Sequence, residues 1–138
     1  MAVKAGHIFV NLPVKDLQQT KEFFKAIGFE FNPQFTDENA ACLVINDNIF
    51  AMLLTEPFFK GFMKKEVCNT SSHAEVIIAL SAESREQVDE WADRALKAGG
   101  KQASDPADHG FMYTRSFEDL DGHIWEISYM DMSAVPQE

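Results

Sequence analysis

Four histidines, two cysteines and an excess of carboxylates are the groups from which this chain could build chemistry. The cysteines, Cys42 and Cys68, lie in unrelated contexts without CxxC spacing. Neither a structural zinc site nor a disulfide framework finds support, and two free thiols in a reducing cytoplasm are expected. His109 and His123 flank turn residues and should face solvent, although His123 could cover a hairpin. Tyr113 and Arg115 stand two residues apart and so share one strand face. Pointing inward, Arg115 could pair with a carboxylate or bind an anionic ligand; the pattern leaves the face open. Pro57-Phe58-Phe59-Lys60-Gly61-Phe62-Met63 is an aromatic cluster that could line a ligand site or plug a seam. The run Glu83, Arg85, Glu86, Asp89, Glu90 and Asp93 reads as a solvated helix face without chemistry.

The balance of charge narrows the partners. Twelve basic and 22 acidic residues give a formal charge of −10. Such a chain repels phosphate backbones and anionic lipid, so neither nucleic acid nor a membrane surface is an expected partner. No apolar run approaches the roughly 20 residues that cross a bilayer, and no signal peptide is expected at the start. An apolar fraction of 46% with twelve Phe and two Trp is enough to build a globular core.

Hydrophobic periodicity supplies the elements that must hold these groups. Ile8, Val10, Leu12 and Val14 alternate with Phe9, Asn11, Pro13 and Lys15, which predicts a strand. Asp16 is a helix N-cap candidate with Gln19 three residues on. Leu17, Thr20, Phe23, Phe24 and Ile27 follow at helical spacing, and Gly28 is placed to end the helix. Strands are predicted at 29–31, 41–45 and 49–54, the last two joined by Asn46-Asp47-Asn48. The order β-α-β-β-β then repeats. A strand is expected at 75–80 and an N-cap at Ser84. The helical stripe Val88, Trp91, Ala92, Ala95 and Leu96 stops at Gly99-Gly100. Strands at 101–103, 112–117 and 124–129 complete the second half, and Asp105 to Gly110 is a turn-rich loop. Trp125 and Tyr129 alternate away from Glu126 and should pack under helices. The tail from Asp131, including Pro136, is expected to fray.

Two segments carry a family likeness. Val10-Asn11-Leu12-Pro13-Val14-Lys15-Asp16-Leu17, with Phe23-Phe24 and Gly28-Phe29 after it, resembles the opening strand and helix of the glyoxalase, bleomycin-resistance and extradiol-dioxygenase superfamily. Phe117-Glu118-Asp119-Leu120-Asp121-Gly122-His123-Ile124-Trp125-Glu126-Ile127 resembles its late hairpin, with Leu120 where an Asp-Pro-Asp-Gly turn has Pro. The resemblance implies an α+β fold, in which two βαβββ modules form a curved mixed sheet around a cup with helices outside. The chain is then one domain over residues 1–138. It divides into module 1 at about 5–55, a connector at 56–72 and module 2 at about 73–130.

Enzymes of this superfamily place one divalent metal in the cup, so the resemblance implies a metal as cofactor. Its ligands come from the first and last strand of each module, because alternate strand residues point inward. Matched by the Val-Lys-Asp-Leu segment and by equal spacing to Val14 and Leu80, those positions read Phe9, Met52, Glu75 and Glu126. Glu75 and Glu126 with water would suit magnesium or manganese. They would make a poor nickel, zinc or iron site, or could act as metal-free general acid or base. His7 and His73, two residues ahead of Phe9 and Glu75, would complete a larger metal set; the alternative is exposed histidines at strand starts. With Phe9, Met52, Glu75 and Arg115 as ligand contacts, the first expectation is a binder of a small organic molecule with an incomplete metal site. The second is a metal-dependent lyase, isomerase or dioxygenase in which Glu126 moves a proton. The third is an interaction module whose cup is filled by its own side chains. A homodimer is implied by the resemblance, and a cytoplasmic location is expected.

Overall fold

The computed structural model describes residues 1–134; Pro136 lies outside the described residues. The chain divides into two compact units, Met1–Val67 and the part beginning at Cys68. The connector expected at 56–72 is split between them. Both units carry a mixed sheet with helices, giving the α+β class expected from the sequence.

In the first unit, β1 (Ile8–Val14) leads into helix α1 (Leu17–Ile27), then β2 (Glu30–Asn32), β3 (Ala40–Asn46), β4 (Ile49–Thr55) and the short helix α2 (Glu56–Lys60). Asp16 caps α1, its carboxylate accepting from the Gln19 N–H at 3.1 Å. Gly28 ends it at φ 123°, a backbone that L side chains rarely adopt. The predicted stripe Leu17, Thr20, Phe23, Phe24 and Ile27 is the buried face of α1. Burying each large apolar side chain stabilises by about 1.5–3 kcal/mol. The strands lie in the order β1-β4-β3-β2, with β1 and β4 parallel. Leu12 and Val14 point to the buried face, which leaves Phe9 and Asn11 on the other.

The second unit repeats the plan through β5 (Ile77–Ser81), α3 (Arg85–Lys97), β6 (Lys101–Gln102), β7 (Ala107–Asp108), β8 (Met112–Glu118) and β9 (Ile124–Met130). Ser84 caps α3, accepting from the Gln87 N–H at 3.0 Å. Its order is β5-β9-β8-β6, with β5 and β9 parallel and β7 paired to β8. Strand β7 sits inside the stretch expected to be only a loop. Trp125, Ile127 and Phe117 are buried with Val88, Ala92 and Ala95 of α3. Within the described residues the tail expected to fray from Asp131 is ordered as far as Ala134: the Asp131 N–H donates to the Phe111 carbonyl at 2.7 Å, and a 3-10 turn follows at Met132–Ala134.

Candidate functional site

Strand register decides which residues are equivalent in the two units. In the first, Asn11 stands opposite Met52 and Phe9 opposite Phe50. In the second, Ala79 stands opposite Glu126 and Ile77 opposite Ile124. Met52 and Glu126 hold matching places on the last strands, so Asn11 matches Ala79 and Phe9 matches Ile77. The match of Phe9 with Glu75 is corrected by two residues. Glu75 precedes β5, in the place that His7 holds before β1. It lies four residues upstream of Glu126's register partner, roughly 13 Å along the strand direction, and does not sit beside Glu126.

The face of the first sheet opposite α1 is aromatic. Phe9 and Phe50 stack with ring centroids 5.1 Å apart, and His7 stacks on both at 6.2 and 6.0 Å. Phe9 is 53% exposed, so this ladder is an accessible apolar surface. Met52 is half-buried on the same face, directly across from Cys42. The Cys42 thiol is buried and its pKa raised by desolvation, which keeps it protonated.

The corresponding face of the second sheet is rich in hydroxyls. Glu126 is half-buried between Ala79 on β5 and Ser116 on β8. Thr114 and Ser128 join hydroxyls at 2.7 Å, and Ser104 and Ser116 at 2.8 Å. The Ser104 N–H also donates to the Ser116 hydroxyl at 3.0 Å. Among the described residues, none forms an ion pair or side-chain hydrogen bond with the Glu126 carboxylate. Lys101 on β6 stands directly across from Glu118, at the end of the face.

Arg115 is on the other face. Its guanidinium donates to Asp89 at 3.1 Å and Asp93 at 2.9 Å, both on α3. Of the two faces left open by the sequence, Arg115 takes the one away from Glu126. Its place among the ligand contacts is thereby corrected, since alternate residues of β8 point to opposite sides and Ser116 is the one facing Glu126. Tyr113 shares Arg115's side and donates to Asp89 at 2.6 Å, while Arg85 lies 4.6 Å over its ring and pairs with Asp108. The Tyr113 hydrogen bond is the leading cause that holds the Asp89 carboxyl below the usual carboxylate range. A depressed folded-state pKa means that this stabilisation is present above the ordinary carboxylate pKa. It is lost as pH falls through the depressed value. Tyr113→Phe should cost at most about 1 kcal/mol near pH 7, because Asp89 is half exposed. Urea unfolding should show that difference vanishing in strong acid.

A second polar cluster lies at the β8–β9 hairpin. His123 was expected to face solvent and is instead 1% exposed, its Nδ1 2.6 Å from the Glu75 carboxylate. Asp119, also buried, accepts from the backbone N–H groups of Asp121 at 2.9 Å and His123 at 3.0 Å, and from Trp125 Nε1 at 3.0 Å. The Thr70 hydroxyl donates to the Asp121 carbonyl. Gly122 sits at φ 80° under it, where a Cβ would come 2.7 Å from the Thr70 hydroxyl oxygen. Hydrogen bonding to Glu75 is the leading cause that raises the Cys68 thiol pKa. Glu75 therefore serves a local network.

The histidines expected to extend a metal set are occupied or displaced. His7 belongs to the aromatic ladder. His73 is exposed, four residues before β5, with its N–H on the Asn69 carbonyl at 2.8 Å and its ring 2.8 Å from the Ser72 hydroxyl. Among the described residues no three His, Cys, Asp or Glu side chains are grouped so that they could hold a metal ion.

Two units, each a strand, a helix and a further run of strands, whose first and last strands run side by side, agree with a family comparison. The family model described as Glyoxalase/Bleomycin resistance protein/Dioxygenase superfamily matches residues 4–127. The chain belongs to this superfamily. A hypothetical protein from S. aureus is 27% identical, with a TM-score of 0.77 over 92% of this chain and 95% of that one. A family enzyme from Burkholderia phytofirmans is 15% identical, with a TM-score of 0.73 over 88% and 96%. The fosfomycin resistance protein FosX from Listeria monocytogenes, solved with Mn(II) and sulfate, is 20% identical, with a TM-score of 0.66 over 96% and 94%. These last two likenesses are of fold alone. No curated protein matches. Among the described residues no helix is long and apolar enough to cross a membrane.

Proposed function

We propose that this superfamily member binds a small organic molecule without a metal, using the open faces of its sheets. The observation that carries the reading is the corrected set of strand positions. Phe9 and Met52 in the first unit and Ile77 in the second offer no oxygen or nitrogen donor, and Glu126 alone is a carboxylate. A single carboxylate does not fit a manganese, nickel, zinc or iron ion, which is ordinarily held by three or more protein ligands or by several oxygens. The metal-dependent lyase, isomerase or dioxygenase alternative has no donor set here to support it. An apolar wall with few polar groups is instead the usual make-up of a small-molecule site, and the ladder of Phe9 and Phe50 supplies one. Glu75 and Arg115 are engaged by His123 and by α3 and leave the proposed contacts.

Metal analysis and calorimetric titration with Mn(II), Ni(II) and Zn(II) test this. The purified chain should bind none stoichiometrically, and Glu126→Ala should behave identically. One equivalent per chain, lost in Glu126→Ala, would overturn the reading. The assembly we propose is a homodimer, supported by the exposed apolar pair Ile8 and Ile49 at the head of β1 and β4. Light scattering should return twice the chain mass of 15.6 kDa; the monomer mass would remove the proposal.

A further inference from the structure

We infer that the open face of the second unit takes the protonated amine of a small organic cation, with the ammonium on Glu126. This rests on the small-molecule reading above and names the chemical class of the ligand. Glu126 is half-buried and, among the described residues, has no ion-pair partner. A partly desolvated carboxylate gains most from a donor that carries positive charge. The hydroxyls around it point to the same chemistry. Thr114 and Ser128 spend one of their two O–H groups within the pair, which leaves lone pairs on their oxygens to accept. An ammonium has three N–H donors and no acceptor, so it complements a carboxylate set among lone pairs.

The arginines of the unit that could have received an anion lie elsewhere. Arg115 and Arg85 are turned toward α3 and β7 and are paired with Asp89, Asp93 and Asp108. Lys101 stands at the end of the open face, in register with Glu118 and not with the neighbours of Glu126. A carboxylate or phosphonate ligand seated on Glu126 would therefore meet a like charge with no cation in register beside it. Ile77, 55% exposed, and its register partner Ile124 flank the same face and give the body of the ligand an apolar surface. The ligand class is an amine on a compact apolar or aromatic frame.

Three probes that share one frame and differ in charge test the proposal: 2-naphthylmethylamine, 2-naphthylmethanol and 2-naphthoate. Each is titrated into the full chain at neutral pH, once in EDTA and once with Mn(II) in place of EDTA, following the backbone amides of Ser116, Glu126 and Ser128 by NMR. The amine should bind about tenfold more tightly than the alcohol, the factor that one charge-assisted hydrogen bond supplies. The naphthoate should bind weakest. Glu126→Gln, which keeps size and shape, should erase the difference between amine and alcohol. Equal or tighter binding of the alcohol or naphthoate, or an amine preference that survives Glu126→Gln, overturns the assignment while leaving small-molecule binding intact. Naphthoate binding that appears only with Mn(II) overturns the metal-free reading and the assignment together, as does the absence of any response to all three probes.

Discussion

Asp119→Ala should destabilise the second unit by about 3–5 kcal/mol, enough to unfold a marginal domain. The side chain is 5% exposed and accepts three N–H donors, from Asp121, His123 and Trp125. Alanine leaves all three without that acceptor, and each unsatisfied buried donor costs about 1–3 kcal/mol. Trp125 is fully buried, so water cannot readily take over at its indole. Asp119→Asn should recover part of the loss. Its oxygen can serve the two backbone donors, but its amide nitrogen would face the indole N–H, donor against donor. Urea unfolding monitored at Trp125 would rank the three proteins, and a wild-type midpoint for Asp119→Ala would sink the argument. Burial, the largest cause, raises the Asp119 pKa above its usual value despite the donors. A raised folded-state value in a carboxyl means that the folded protein holds the proton at a higher pH than the unfolded chain. The cost of the buried charge is therefore present at neutral pH and is relieved as pH falls through the folded value. The gap in stability between wild type and Asp119→Asn should shift in favour of wild type over that window.

Glu75→Ala should lower stability by about 1–3 kcal/mol and speed alkylation of Cys68. Removing the carboxylate strips the partner from the Nδ1 of a histidine that is 1% exposed. It also removes the leading cause of the raised Cys68 pKa, so more thiolate forms near pH 8. Iodoacetamide kinetics at that pH, with Cys42 buried as an internal control, would read the change. An unaltered rate would show that Glu75 does not restrain the thiol.

The elements were legible because their signals are local. Asp16 with Gln19, Gly28, and Ser84 with Gln87 each cap the helix end where a capping residue is expected. The site was legible only in part, for two reasons. A period-two pattern is unchanged by a slip of two, so the spacing of Val14 and Leu80 could not tell Glu75 from Ile77. Only pairing to the neighbouring strand could, and that pairing is long-range. The side to which Arg115 points has the same origin, although Trp125, placed correctly under the helix, stands opposite Phe117, two residues along from Arg115. That link was available once β8 and β9 were read as a hairpin around Asp121-Gly122. Burial of His123 had a weaker signal in Asp119, a carboxylate that opens a tight turn and accepts its N–H groups.

Parallel pairing of β1 with β4 and of β5 with β9 also governs how the chain can emerge from the ribosome. The first half is complete in sequence once Thr55 has left the tunnel, long before the second strand set is translated. In the second half, among the described residues, β5 has its one sheet neighbour in β9, so it waits unpaired through α3 and three further strands. The nascent protein thus passes through an interval in which one half is foldable and the other displays an apolar strand, Ile77-Ile78-Ala79-Leu80, with nothing yet beside it.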